Sequence, residues 1–250
     1  MDRAWKSLLG GLVAIARGEL RKAESELLKA STLACVNALG ADELNQMEAW
    51  RLAGRTLHHL GWVYRRQDRL AEASQTHLAA HRLRDDYGSF DEIWETAIEL
   101  GLDYDVARNC EEGCRWHRAA LQAAKQAASK SDQKQAVAWS YLAASCTDDD
   151  RHEEGVSAAR SARDCWRAHD IGAVTAAQAD MKLGAALLKQ GEMLCDRTDE
   201  LAATVLTEAK EWLTVARDAL LAFGGEHTNE AQRCDDQIDF ARRLLATLET

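Results

Sequence analysis

The sequence contains no proline among its 250 residues. At an average usage of about 5%, a chain of this length would contain roughly a dozen prolines. Proline removes a backbone donor and clashes with the preceding helical turn, so its absence allows long uninterrupted helices. Alanine, leucine, arginine and glutamate are abundant, and all four favour helix. The composition therefore predicts a chain that is mostly α-helical.

Positive charge and long apolar runs are also scarce. The formal net charge is −10, which argues against nucleic-acid partners and anionic membranes, because both require a basic face. No apolar run reaches the roughly 18–20 residues that a membrane span needs. We therefore expect a soluble, cytoplasmic protein that binds no nucleic acid and no membrane.

Signatures of disulfide frameworks and catalytic centres are missing as well. The seven cysteines are odd in number and irregularly spaced, which indicates free thiols in a reducing compartment. No glycine-rich phosphate loop and no nucleophile elbow is present. We therefore predict no catalytic residue, no metal and no cofactor, and we expect a protein that is not an enzyme.

What the sequence does contain is an internal repeat. A small residue follows leucine or glycine at five places, which we call the anchors and which are separated by 50, 40, 42 and 41 residues. The anchors are Gly11, Gly61, Gly101, Ala143 and Gly184. Glycine inside a helix costs about 1 kcal/mol relative to alanine. Its recurrence therefore indicates that a second helix approaches each anchor closely.

A second series of small residues keeps the same register. One lies twelve residues after each of the first four anchors, and another lies seven residues further on. They are Ala23, Ala73, Gly113 and Gly155, then Ala30, Ala80, Ala120 and Ala162, with Leu27, His77, His117 and Ala159 between them. Each repeat thus predicts a helix A, a short polar turn and a helix B. In the fifth repeat, thirteen inserted residues shift the matching positions to Ala209 and Ala216 and predict longer helices.

Two sequence signals predict where helices begin. Ser89 with Glu92, and Asp150 with Glu153, have the spacing of capping boxes. We therefore expect one helix to begin after Ser89 and another after Asp150. The aspartate run that ends at Asp150 is too short for a calcium loop and is interpreted as a solvated turn.

The two ends of the chain carry signals of their own. Leu8–Ala16 is apolar and ends in a sequence that also suits signal peptidase. We favour the first helix of a repeat, because the repeat register includes this run. A last helix over His227–Leu248, with Leu244, Leu245 and Leu248 on one side, suits the polar end cap that helical arrays require.

These patterns resemble the tetratricopeptide repeat family. Leu-Gly-x-x-Tyr in helix A and small-x-x-x-aromatic-x-x-Ala in helix B match best over Leu57–Leu83, and the resemblance covers about residues 7–220. It departs in a repeat length near 41 residues instead of 34 and in the missing proline. The resemblance implies an all-α fold, a right-handed α-solenoid of about five helix pairs plus a C-terminal capping helix. It also implies a single domain over 1–250, with repeats in 1–225 and the cap in 226–250.

The resemblance also implies a binding groove, because A helices line a concave surface in this family. The matching positions lie six and three residues before each anchor and one, four and five after it. They assign a peptide-binding groove to Arg55, His58, Trp62, Arg65 and Arg66 in the second repeat, and to Leu102 and Asp105 in the third. Arginine forks pair with carboxylates and tryptophan gives apolar contact. The alternative is that these arginines pair with acidic residues of neighbouring helices.

The predicted function is therefore a non-catalytic protein–protein interaction module that binds an acidic or C-terminal protein or peptide segment. The alternative is a regulatory sensor segment of a larger signalling protein that binds a small effector or peptide. Two histidine clusters at helical spacing also resemble metal ligands: Cys110 and Cys114 with His117, and His77 with His81. Each offers too few ligands, and packing is the favoured interpretation.

Overall fold

The computed structural model describes residues 2–168, 172–195 and 199–248, and all regular structure in these ranges is helical. It confirms the all-α prediction of five helix pairs and a terminal helix. Contacts divide the chain into two compact units, residues 1–129 and 130–250, and each unit is described separately. Within the described part of the chain, no helix is long and apolar enough to cross a membrane.

The first unit consists of three A–B pairs. They are α1 (Asp2–Ala16) with α2 (Leu20–Leu39), α3 (Glu43–Arg66) with α4 (Leu70–Tyr87), and α5 (Phe90–Val106) with α6 (Cys110–Gln126). Each B helix packs on its own A helix, α2 and α4 also pack on the next A helix along the chain, and successive A helices of this unit touch. The apolar run at the N-terminus forms α1, which buries Leu8, Gly11 and Ala14 as the first helix of a repeat.

The second unit contains the fourth and fifth pairs and the terminal helix. They are α7 (Ser131–Asp148) with α8 (His152–Ala168), α9 (Ala173–Leu194) with α10 (Asp199–Ala222), and then α11 (Thr228–Leu248), preceded by a short 3-10 helix at Gly225–His227. The fifth pair has 22 and 24 residues, against 18 and 17 in the fourth. The inserted residues therefore lengthen its helices, as the sequence predicts.

The anchors lie where the two helices of a pair meet, which confirms the packing prediction. A Cβ atom on Gly61 would come within 2.6 Å of the His77 imidazole, and one on Gly184 within 2.6 Å of the Leu213 side chain. Leu213 holds the fifth-repeat position that corresponds to His77, four residues after Ala209. All the small residues of the second series are buried. Small side chains thus allow each A helix to approach its B helix closely.

One predicted helix start is confirmed, and two other predicted details differ from the structure. The capping box at Ser89 and Glu92 is present, with both of its hydrogen bonds. Asp150 does not cap α8, because its φ of +57° belongs to the turn and the helix begins only at His152. In α11 the buried side is Ala231, Cys234, Ile238 and Ala241 rather than Leu244, Leu245 and Leu248. The three leucines are only partly buried.

Candidate functional site

Two of the arginines predicted for the groove pair with acidic residues of the next A helix. The Arg55 Nε donates to Glu92 Oε1 at 2.7 Å. The Arg65 guanidinium donates to Asp103 Oδ1 at 2.9 Å and also contacts the Glu99 carboxylate. The structure therefore shows, for these two residues, the alternative that the sequence left open: they join α3 to α5.

Trp62 and Arg66 contact each other on the same surface. The Arg66 guanidinium carbon lies 5.4 Å from the centre of the Trp62 ring. Arg66 is exposed and Trp62 is half-buried. Among residues 2–168, 172–195 and 199–248, no carboxylate lies within ion-pair distance of Arg66. The two side chains therefore form an aromatic–cation pair on the second repeat.

The other three predicted groove residues are half-buried and contact the interior of the first unit. His58 is half-buried, and burial together with Arg84 holds the pKa of its imidazole well below the usual range. Leu102 is half-buried. Asp105 Oδ2 lies 2.9 Å from His117 Nε2 and so links α5 to α6. These side chains shape the wall of the first unit and present few polar atoms outward.

A buried histidine–aspartate contact lies directly beneath this surface. His77 is fully buried, with Nδ1 2.5 Å from Asp103 Oδ2 and Nε2 3.0 Å from the carbonyl oxygen of His58. Asp103 is thus shared between His77 and Arg65. His77 also faces Gly61, whose missing side chain makes room for the ring. The residue that resembled a metal ligand is a packing residue that ties α4 to α3 and α5.

The remaining residues that resembled metal ligands, His117, Cys114 and His81, are also packing residues. His117 is fully buried and its ring lies against Gly101, where a Cβ atom would come within 2.2 Å. Cys114 is buried, and His81 meets the Trp116 ring edge-on with centroids 4.9 Å apart. Across the residues that the structure describes, no three His, Cys, Asp or Glu side chains are arranged to hold a metal ion.

A concavity in the second unit was not predicted from the sequence. It is a groove of about 730 Å³ on the A-helix side, bounded by α7, α9 and α11, and we call it the α7–α9–α11 groove. Its walls include Tyr141, Ala144, Asp148, Lys182, Ala185, Leu188, Lys189, Glu192 and Phe240. Several of these residues hold the groove positions that the resemblance assigns relative to Ala143 and Gly184.

The size of one side chain explains why a groove forms there. The position directly after the anchor is Leu12, Trp62 and Leu102 in the first three repeats, but Ala144 and Ala185 in the fourth and fifth. Large side chains fill this position in the first unit. Alanine leaves it hollow in the second, with Leu188 and Phe240 supplying apolar walls. The change from large to small was visible in the repeat register and would have indicated the groove.

Comparison with known proteins identifies the architecture. No family model and no curated protein sequence matches the chain. Among solved structures, BtubC (BKLC) from P. vanneervenii aligns with a TM-score of 0.67 at 17% identity, covering 86% of this chain and 78% of that one. A Podosopora anserina protein of kinesin light chain type, with nearly identical TPR-like repeats, gives 0.66 at 13% identity, covering 88% and 96%. This chain has a tetratricopeptide-like helical-repeat fold.

Further structures share this tetratricopeptide-like fold. The apo form of RapI aligns over 98% of this chain and 99% of its own length, with a TM-score of 0.60 at 11% identity. A Rap protein solved with the competence and sporulation factor covers 99% of this chain and 75% of its own length, with a TM-score of 0.53 at 15% identity. The fold is therefore shared at low sequence identity, and the groove residues must be interpreted from this chain itself.

Proposed function

We propose that this protein is a non-catalytic interaction module that binds a peptide segment on its A-helix side. The α7–α9–α11 groove carries this proposal. Its volume of about 730 Å³ falls within the roughly 300–1,000 Å³ of ligand-binding clefts. Apolar side chains such as Ala185, Leu188 and Phe240 line it together with a few charged ones such as Lys182 and Glu192, which is the usual lining of a ligand-binding cleft. A Rap protein of the same fold was solved with the competence and sporulation factor bound, which supports a peptide as the ligand.

The second-repeat surface is a separate candidate for contact with the same or another partner. Trp62 supplies apolar area and Arg66 supplies a cation, the residue types that dominate binding energy at interfaces. Arg55 and Arg65 stand beside them, although Glu92 and Glu99 already neutralise much of their charge. The proposal for this surface therefore depends on Trp62 and Arg66, which would recruit an acidic group.

The sensor alternative is supported by the same groove volume, since 730 Å³ also accommodates a small effector. The two functions differ in the class of ligand that binds the groove. A metabolite that raises the melting temperature of the wild-type protein, and not of a groove-filled variant, would favour the sensor. Peptide ligands without any metabolite hit would favour the interaction module.

The groove is tested by filling it. Ala185→Trp places an indole in the hollow, and Ala246→Trp makes the same change at an exposed position of α11 as the control. Peptides are selected from a random displayed library on the wild-type protein, and their affinities are measured for each variant by fluorescence anisotropy. We expect Ala185→Trp to weaken binding at least about tenfold, as loss of an anchor pocket does, and Ala246→Trp to bind like wild type.

The second-repeat surface is tested in the same assay. Arg66→Glu reverses the exposed cation while leaving the Arg65 pairs intact, and Arg115→Glu, whose side chain is 74% exposed on α6, is the matched charge control. Weaker binding of acidic library peptides to Arg66→Glu alone would support this surface. If selected peptides bind Ala185→Trp and Arg66→Glu as tightly as wild type, both proposed sites are wrong.

A further inference from the structure

We infer that the α7–α9–α11 groove selects a short segment with an acidic group at one end, a large apolar side chain at its centre and a basic group at the other end. This inference rests on the proposed interaction function and specifies the chemistry of the ligand. It is argued from three parts of the groove: the hollow at its centre, the cation at one end and the carboxylates at the other.

The hollow determines the central side chain. Ala144 of α7 and Ala185 of α9, at equivalent repeat positions, line the groove together with Phe240 of α11. The first three repeats carry Leu or Trp at the position of these two alanines. A phenyl, indole or branched aliphatic group of the ligand would restore that packing. Burying such a side chain contributes about 1.5–3 kcal/mol.

Lys182 marks the end of the groove that takes a carboxylate. Its ammonium lies 6.0 Å from the centre of the Tyr141 ring, at the margin of the hollow. The residue is open to solvent in the groove, but the surrounding walls limit hydration and lower the pKa of the amine. Within the described ranges, no carboxylate lies at ion-pair distance from this amine. A ligand carboxylate would supply the missing counter-charge.

The opposite end of the groove carries negative charge. Glu192 of α9 and Asp148 at the end of α7 both line it. Lys189 lies 3.7 Å from Glu192 and offsets one of these charges, so that Asp148 leaves this end net acidic. A lysine or arginine of the ligand would pair with Asp148 there. The groove is therefore dipolar, with charge of each sign at a defined end.

The distance between the two ends limits the length of the segment. Lys182 and Glu192 are ten residues apart on one helix, which corresponds to about 15 Å at the helical rise. An extended chain covers about 3.3–3.6 Å per residue, so this distance matches four to five residues. One acidic residue, one central apolar residue and one basic residue, each separated by a spacer, satisfy this length.

A charge reversal at Lys182 tests the inference. The probes are capped pentapeptides, Asp-Ala-Trp-Ala-Lys and Lys-Ala-Trp-Ala-Asp, which present the pattern in both chain directions, and their Asp→Asn versions. We expect wild type to bind one direction about tenfold more tightly than its Asn version, the size of a charge-assisted hydrogen bond. Lys182→Glu should lose that preference, and it should bind an additional probe, in which Lys replaces Asp, more tightly than wild type does. Lys29→Glu, an exposed residue of α2, should behave like wild type.

Two outcomes separate this inference from the function on which it rests. If Ala185→Trp abolishes binding but Lys182→Glu still prefers the Asp peptide, the charge assignment is overturned and the groove remains the binding site. If library-selected peptides bind Ala185→Trp like wild type, the groove itself is not the site, and both proposals fall. A wild-type protein that binds library peptides of no consistent charge pattern also overturns the inference.

Proton linkage gives a second measurement on the same complex. Because a bound carboxylate raises the lowered pKa of Lys182, binding takes up a proton at alkaline pH. Affinity for the Asp peptide should therefore fall as pH rises through the pKa of the free protein, while affinity for the Asn peptide stays flatter. Equal pH profiles for the two peptides would contradict contact between Lys182 and the ligand acid.

Discussion

At the scale of single residues, the spacing between two helices of a pair is set by one contact that recurs sixteen residues after the anchor. Gly11 meets Leu27, Gly61 meets His77 and Gly101 meets His117. The side chain on helix B is large in these pairs, so the anchor must be small. The cost of glycine in helix A is offset by the close packing that it permits.

Gly101→Leu tests this contact. A Cβ atom alone would come within 2.2 Å of the His117 ring, which is fully buried and hydrogen-bonded to Asp105. We expect a loss of about 1–3 kcal/mol in unfolding free energy from overpacking, measured by urea denaturation. Gly10→Ala is the control, because the nearest atoms to its new Cβ belong to the Glu26 side chain and lie at 3.5 Å or more, which is ordinary contact. It should gain up to about 1 kcal/mol from helix propensity. A urea denaturation curve for Gly101→Leu that matches wild type would show that the register is wrong.

At the scale of helices, the first four A helices end in the same way. A residue with positive φ follows the anchor by seven positions: Gly18, Asp68, Arg108 and Asp150. The amide of the next residue donates back to a carbonyl five residues earlier, as from Asn109 to Tyr104 at 2.9 Å. This is the Schellman ending, which satisfies orphan carbonyls of the helix terminus. Only the first repeat uses glycine there, although the left-handed backbone favours it.

Arg108→Gly should therefore stabilise the protein. The left-handed backbone region costs a residue with a Cβ atom about 1–2 kcal/mol. Arg108 adopts this region, with φ +61°, and its side chain is exposed. Glycine removes that strain at some cost in chain entropy, so we expect a gain of about 1 kcal/mol. Ala107→Gly is the control, since Ala107 has φ −75° and should lose stability. The measurement is thermal unfolding; a lower melting temperature for Arg108→Gly would contradict the proposed ending.

At the scale of the whole molecule, stability depends on pH because the fold places His58 and His59 near Arg84 and largely away from water. Burial, followed by Arg84, lowers the pKa of His59 to about 4, and the same two causes lower the pKa of His58. The unfolded chain then binds protons that the folded chain does not. Stability contributed by these groups is complete above their unfolded pKa of about 6.5 and declines as pH falls below it.

The expected result is a loss of about 1 kcal/mol for His59 alone between pH 7.5 and pH 5.5. This range lies above the titration of ordinary carboxylates. Urea unfolding at the two pH values measures it, and His59→Gln should reduce the loss by about the same amount. If wild type and His59→Gln have the same dependence on pH, His59 titrates in the folded protein as it does in the unfolded chain.

The repeat register could be predicted from the sequence because each small residue lies where the two helices of a pair pack closely. Gly61, Ala73 and Ala80 recur in order, and the same pattern, lengthened by thirteen residues, predicts Ala209 and Ala216. Of the two helix starts that capping spacing predicted, only one is present in the structure. Ser89 caps as its spacing predicts, whereas the backbone of Asp150 belongs to the Schellman ending of the previous helix. A capping motif and a helix-ending motif compete for the same residue, and the sequence pattern alone does not decide between them.

The sequence by itself determined the helix pairs, their order and the faces on which they pack, since these depend on side-chain size at fixed helical spacing. Only the tertiary structure decided which groove residues face outward. Arg65 is held by Asp103, 38 residues away, and Ala144 and Ala185 form one hollow only because α7, α9 and α11 meet there. Ion pairs and cavities arise between segments distant in the chain, so a pattern within one segment identifies the candidates and the packed fold selects among them.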